Sequence, residues 1–317
     1  MHVLVTGASG FIGRALINDL AAQGHRVRAA MRQPADIFPR AVEAVAVSDL
    51  ARPIEWRPLL RDMEAVVHLA GIAHAGPGIA EDLYDRVNRA ATAALATSAA
   101  AIGTRRLVFV SSIRAQGGPA SDHVLTESDR PRPTDAYGRS KLAAETAIRG
   151  SNVPFTILRP ALIYGAGVKG NLATLIRLAQ SPWPLPFGAL RNRRSLLARD
   201  NLVAAIHLAL TDPGTVGETY VVADPAPLTF AEIIGALRAG LGRRPGLLPI
   251  PSALIAAPLA AIGRRDLWDR LGGHSVVDPS KLLAAGWRPT TDTRAGLAAM
   301  VQAASPRKSG TASRNTP

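Results

Sequence analysis

The chain has 317 residues, 47% of them hydrophobic, which is enough for one large α/β domain or a two-lobed protein with a sizeable core. It has no cysteine, which excludes disulfides, thiolate catalysis and zinc–thiolate sites and suits a reducing cytosol. The formal charge is +13, but the arginines are scattered in ones and twos and aromatics make up only 4%, so nucleic acid is not the expected partner; a solvated basic surface that favours anionic small molecules is.

Residues 1–20 read MHVLVTGASGFIGRALINDL. Val3-Leu4-Val5 is too short for a helix and has the β-branched content of a buried strand, and Ala15-Leu16-Ile17 and Leu20 follow at helical spacing. Strand, glycine turn and helix form the unit that sets backbone N–H groups and a helix N-terminus against a pyrophosphate. Gly7 permits the tight turn, Gly10 the close approach of phosphate, and Gly13 close packing of helix on strand. The spacing is G-x-x-G-x-x-G, which a plain glycine turn could also show. Its place directly after a buried strand favours a nucleotide site, with Gly7, Ser9, Gly10, Phe11, Ile12 and Gly13 as its candidates.

Further apolar segments at Val27–Met31, Val42–Val47, Val66–Leu69, Leu107–Val110 and Phe155–Leu158 alternate with helical patterns at 11–23, 54–62, 80–102 and 136–149. Such alternation predicts a Rossmann-type α/β fold, a doubly wound parallel sheet with right-handed crossovers over residues 1–165. A smaller α/β lobe over 166–304 follows, with helices near 171–180, 201–211, 229–241 and 252–262 and a strand at Thr219–Val222, some of it expected to return to the sheet. Asp200 is read as a helix N-cap. The polar stretch 305–317 reads as a disordered tail. The uncharged run 246–263 reaches the lower length of a membrane span, but Pro249, Pro251 and Pro258 interrupt it. A helix from about Ser252 is expected instead, so no integral span, with peripheral contact at the inner membrane left open. No charged segment followed by an apolar one opens the chain, so no secretory leader is expected and a cytoplasmic location is.

Leu107-Val108-Phe109-Val110 ends in Ser111-Ser112, and Tyr137-Gly138-Arg139-Ser140-Lys141 follows 25 positions on. Tyr137 and Lys141 are four apart and share one face of a helix. A lysine ammonium beside a phenol favours the ionised form and lowers the tyrosine pKa. Such a tyrosine can exchange a proton with a carbinol or carbonyl oxygen that the serine hydroxyl holds. Alone the Tyr-x-x-x-Lys spacing is common on helices; behind a strand-end serine and an N-terminal glycine turn it is specific.

On these motifs the chain resembles the extended short-chain dehydrogenase/reductases of the NAD-dependent epimerase/dehydratase family, over about residues 1–303. TGASGFIG, Asp49-Leu50, Val67-His68-Leu69-Ala70-Gly71, Asn88, VFVSS, YGRSK and Leu158-Arg159-Pro160 carry the resemblance. It implies that Ser112 and Tyr137 contact the substrate oxygen and that Lys141 holds the nicotinamide ribose. Asp49 and Leu50 would meet the adenine, and Leu69, Ala70, Gly71, Asn88 and Pro160 would line the cofactor cleft. In the second lobe Asn171 resembles a uridine-diphosphate contact and Arg194 the arginine that pairs with the sugar-nucleotide pyrophosphate, while Arg270 is either a second phosphate ligand or a plain surface arginine. A homodimer through 80–102 and 136–149 is also implied.

Absences narrow the expectation. Ile113-Arg114 follows Ser112 where the family's dehydratases carry an acidic pair and its decarboxylases a glutamate, and the cysteine of its 3,5-epimerases is missing. A 4-keto reductase or a 4-epimerase acting on a UDP-sugar remains. Later segments (GVKGNLATLIRLAQ, NRRSLLARDNL, LLPIPSALI) resemble polysaccharide-locus members, which favours reduction of a UDP-4-keto-6-deoxy-N-acetylhexosamine of the UDP-N-acetylquinovosamine type. Arg32 stands beside Met31, where NAD-preferring members place an acid, and an arginine there accommodates a 2′-phosphate. Arg14 is a second candidate for that phosphate. NADP(H) is therefore favoured, with NAD(H) the alternative.

Overall fold

The structure, a computed structural model, describes residues 1–35, 37–73, 78–168, 170–261 and 272–304. The first strand, β1 (His2–Thr6), leads through the glycine turn into α1 (Phe11–Ala22). Then come β2 (Arg26–Met31), β3 (Val42–Ala46), α2 (Trp56–Leu60) and β4 (Ala65–His68). The helical stretch 81–102 is three pieces: α3 (Glu81–Tyr84), a π-helical turn (Asp85–Ala90) and α4 (Ala91–Ile102). Next are β5 (Arg106–Val110), α5 (Ile113–Gln116), α6 (Ala136–Arg149) and β6 (Phe155–Pro160).

The second half contributes β7 (Leu162–Tyr164), α7 (Asn171–Gln180), β8 (Arg193–Arg194), β9 (Leu196–Ala198) and α8 (Arg199–Thr211). It continues with β10 (Thr219–Val222), β11 (Leu228–Thr229), α9 (Phe230–Gly240) and α10 (Ser252–Ala261). The last helices are Ser280–Ala284 and Thr293–Ala304.

Seven strands form one parallel sheet in the order β10-β6-β5-β4-β1-β2-β3. The reversal of strand order between β1 and β4 marks the crevice where ligands of such sheets bind. Central strands are apolar on both faces because both are covered: Val3, Leu4 and Val5 are fully buried. One face packs on Leu16, Ile17 and Leu20 of α1 and on Leu202 and Ile206 of α8. The other packs on Trp56, Leu60, Leu95, Ala144 and Ile148 of α2, α4 and α6. This is the doubly wound fold that the alternation predicts. A separate core joins Tyr164, Leu172, Leu196, Phe230, Ile234 and Leu297, all from the second half of the chain.

Strand β10 comes from the second half of the chain and pairs with β6, Val222 opposite Pro160. Asp200 is not the N-cap of α8. The helix begins at Arg199 with Ala198 as its cap, so Asp200 lies in the first turn, where its carboxylate still suits the helix dipole and meets Arg199 Nε at 3.0 Å. Within the run 246–263, α10 starts at Ser252 as expected, and no helix of the described residues is long and apolar enough to cross a membrane. Arg270 and 305–317 lie outside the described residues.

Candidate active site

Parallel strands carry their C-terminal ends to one edge, so the turns after β1, β4 and β5 meet there. Gly7, at φ +69°, lies so close to the β4 turn that a Cβ on it would fall 2.9 Å from the Ala70 nitrogen. A Cβ on Gly13 would fall 2.3 Å from the Gly7 carbonyl oxygen, which fixes the helix against the turn. The start of α1 has Gly10 as its cap, without a side-chain hydrogen bond, and no acidic residue in its first turn. Free N–H donors on a dipole-positive helix end, in a cradle that a Cβ would fill, suit a dinucleotide's phosphates. Ser9 is exposed while Phe11 and Ile12 are half-buried, and Arg14 Nε donates to the Ser9 carbonyl at 3.0 Å.

Ser112 ends the β5 segment and caps α5, its hydroxyl accepting from the Arg114 N–H at 3.1 Å. Asp135 caps α6, accepting from the Gly138 N–H at 2.7 Å and from Arg114 Nη2 at 2.5 Å. The two helices touch so closely that a Cβ on Gly138 would fall 2.2 Å from the Arg114 carbonyl oxygen. This contact carries the Tyr137 phenol to Ser112, and the two hydroxyls hydrogen-bond.

Burial pushes the Tyr137 phenol above its ordinary pKa, against the lowering effect of the Ser112 hydrogen bond. The expected lowering by Lys141 is thus not what the structure shows. The Lys141 ammonium instead donates to the Val110 carbonyl at 2.9 Å and sits 4.5 Å from the centre of the Phe109 ring. Its own pKa falls to about 8 because it is buried, a loss that the Glu145 carboxylate partly offsets.

Asn88, on the π-helical turn, fastens the β4 turn to α6. Its Oδ1 accepts from the Ile72 N–H at 2.8 Å, and its Nδ2 donates to the Ile72 carbonyl at 3.1 Å and to Ser140 Oγ at 2.9 Å. A Cβ on Gly71 would lie 2.7 Å from Asn88 Oδ1 and 3.8 Å from Lys141 Nζ, so these three converge. Gly7, Gly10, Gly13, the 69–71 turn, Asn88, Ser112, Tyr137 and Lys141 thus gather at the sheet edge.

The other candidates are dispersed. Arg32 is exposed directly after β2, behind a buried Met31. Asp49 is exposed and caps its own turn, accepting from the Ala51 N–H at 3.0 Å, while Leu50 packs against the α2/α4 core. Pro160 is the buried last residue of β6. Asn171 is the first residue of α7, its side chain outside the described set. Arg194 lies half-buried in β8, opposite Leu228 of β11, where burial lowers its guanidinium pKa.

Two buried groups behind the site were given no role from sequence. Glu145 accepts from Ser111 Oγ at 2.6 Å and from Arg159 at 2.9 and 2.5 Å, and Arg159 also donates to Gln116. Glu145 continues the Tyr137–Lys141 face by four residues, and that periodicity could have found it. His68 lies wholly buried between Thr6 Oγ1 at 2.7 Å and Thr92 Oγ1 at 2.9 Å, stacked on Phe109.

Comparison with known proteins agrees with this architecture. A protein of Vibrio cholerae named UDP-glucose 4-epimerase is 31% identical over 312 residues, 95% of this chain and 94% of its own length. The ceramide reductase of Caulobacter vibrioides is 30% identical over 299 residues, 91% of this chain and 86% of its own. Among solved structures, MoeE5 in complex with UDP-glucuronic acid and NAD superposes with a TM-score of 0.76 at 26% identity, covering 96% of this chain and 99% of that one. The family model described as NAD dependent epimerase/dehydratase matches residues 3–223, which contain the glycine turn, the Ser112–Tyr137–Lys141 set and the parallel sheet from Val3 onward. The chain belongs to the NAD dependent epimerase/dehydratase family.

Proposed function

We propose that the protein reduces the C4 carbonyl of a UDP-4-keto-6-deoxy-N-acetylhexosamine, using a nicotinamide dinucleotide. The carrying observation is the Tyr137 phenol, hydrogen-bonded to Ser112 and kept protonated by burial. A neutral phenol beside a serine hydroxyl is a proton donor aimed at an oxygen that gains charge. The nicotinamide, when bound, supplies the hydride. Gly7, Gly10, Gly13 and the α1 N-terminus bind its diphosphate, Asp49 and Leu50 its adenine, and Lys141 its ribose. Ser112 orients the carbonyl oxygen and Tyr137 protonates it. Asn171, Arg194 and Arg270 take the uridine diphosphate. Exposed Arg32 favours NADPH, whereas the similar MoeE5 structure contains NAD. A homodimer through 80–102 and 136–149 accompanies this reading.

The test mixes purified protein, NADPH or NADH, and the 4-keto-6-deoxy sugar nucleotide, and follows reduced-nicotinamide absorbance. One cofactor should be oxidised per sugar, with the rate falling at least about 100-fold in Tyr137→Phe. No oxidation with either cofactor would sink the reductase. The second reading is a UDP-hexose or UDP-N-acetylhexosamine 4-epimerase with retained NAD, favoured by the likeness to the Vibrio cholerae protein. Interconversion of UDP-galactose and UDP-glucose, or of their N-acetyl analogues, without added cofactor would establish it instead.

A further inference from the structure

The loop after α7 reads Ser181-Pro182-Trp183-Pro184, and Trp183 is 74% exposed. Leu254, near the start of α10, is 66% exposed, and Leu248, between them in the sequence, is 46% exposed. Trp183 and Leu254 are the two most exposed large apolar side chains among the described residues. An exposed aliphatic residue alone is ordinary; two such extremes on joined segments are not.

The segments are joined by built contacts. Arg238, 3% exposed, donates through Nη2 to the carbonyls of Ser181 at 3.1 Å and Trp183 at 2.7 Å, and through Nη1 to those of Pro245 at 2.9 Å and Gly246 at 3.2 Å. Leu185 N–H donates to the Gly246 carbonyl, and Leu248 N–H to that of Leu185. Leu247 and Ile255 turn inward against the second-lobe core, which leaves Leu248 and Leu254 facing outward. A buried guanidinium and two prolines therefore hold the indole in solvent on a fixed platform.

The charge along these segments has one sign. The sequence has no Asp or Glu between Glu145 and Asp200, and none between Glu232 and Asp266. Arg177, Arg243 and Arg244 are exposed within those stretches, and Arg243 Nη1 donates to the Gln180 and Ser181 carbonyls beside the tryptophan loop. Every residue from Ser252 to Ala261 is uncharged. An indole and aliphatic side chains on segments that carry arginines and no carboxylate of their own match the headgroup layer of an anionic bilayer.

We propose that this face docks on the surface of an anionic lipid membrane, with Trp183, Leu248 and Leu254 entering the headgroup layer and Arg243 and Arg244 meeting lipid phosphates. The attachment is peripheral, since no described helix can span. Each inserted apolar side chain and each arginine contributes about five- to tenfold to partitioning.

The test is co-sedimentation of the full chain with phosphatidylcholine vesicles, with and without about a third phosphatidylglycerol. Binding should require the anionic lipid and fall about tenfold in each of Trp183→Ser and Leu254→Ser. Vesicles should also blue-shift the emission of the parent protein, and this shift should be lost in Trp183→Phe. Both side chains are exposed, so unchanged thermal unfolding of the variants separates lost docking from lost fold. Absence of binding to anionic vesicles at low salt overturns the assignment. So does binding that salt abolishes but that the two serine variants retain, since attachment would then lie elsewhere on the basic surface.

Discussion

His68 is a buried histidine whose hydrogen bonds fix its state. Thr92 Oγ1 donates to the Asn88 carbonyl at 2.6 Å and so accepts from His68 Nε2–H; Thr6 Oγ1, itself receiving the Ala70 N–H, donates to Nδ1. Both ring nitrogens are satisfied only in the neutral form. Burial, with the nearby Lys141 charge, lowers its pKa to about 3. The unfolded chain, titrating near 6.5, then binds the extra proton between those two values, so stability falls as pH drops through that window. From pH 6.5 to 4.5 the loss from this group is about 2–3 kcal/mol, measurable by urea unfolding and absent in His68→Asn. Lys141 acts in the opposite range. With a pKa of about 8 it loses its charge as pH rises through that value, and the rate should fall along an alkaline limb there. Lys141→Met should lack that limb as well as most activity, which a pH–rate profile checks.

At the scale of elements, the site depends on how closely α5 and α6 approach. Gly138→Ala sets a methyl 2.2 Å from the Arg114 carbonyl oxygen, backbone against side chain with no flexible end to yield. The expected cost is about 1–3 kcal/mol in chemical denaturation, with a drop in turnover as Tyr137 leaves Ser112. Strands, helices and the order of motifs along 1–165 were legible because period and turn chemistry are local: the expected strand at Phe155–Leu158 is β6, and the helix at 136–149 is α6. The Tyr137 pKa was not legible. Helical spacing placed Lys141 on the right face, but burial of the phenol and the pull of the Val110 carbonyl on the ammonium arise only when β5 packs on α6. The π-helical turn that aims Asn88 was likewise hidden, since six residues of ordinary helix-forming character can wind either way until Ile72 and Ser140 claim the amide.

Across the whole molecule, Asp224 is the knot. Wholly buried just after β10, it accepts from the Ala198 N–H, from Asn201 Nδ2 at 2.7 Å, from the Tyr164 hydroxyl at 3.1 Å and from Thr293 Oγ1 at 3.2 Å. Asn201 in turn accepts from the Thr290 and Thr291 N–H groups, and its carbonyl receives the Trp287 indole. One carboxylate thereby ties β7, β9, α8 and the last helix together. Asp224→Ala leaves several buried donors without partners and should cost about 3–5 kcal/mol, read as a lower thermal midpoint with early proteolysis near Thr293. No sequence pattern announces this knot, because its members are separated by up to 129 positions, from Tyr164 to Thr293, and meet only in the folded chain.

The seventh strand bears on how the chain must be made. Synthesis delivers β6 with its outer edge bare, and β10, the strand that covers it, is completed only at Val222, 62 residues after Pro160. Until then a nascent chain displays an open row of backbone groups beside Phe155, Ile157 and Leu158, which invites pairing with another chain. A fragment stopped at 165 should therefore aggregate when expressed, and one extended through Asp224 should sediment less, although both contain the entire Ser112–Tyr137–Lys141 set. The half of the chain that carries the candidate site holds all three of those residues long before it is complete as a folding unit.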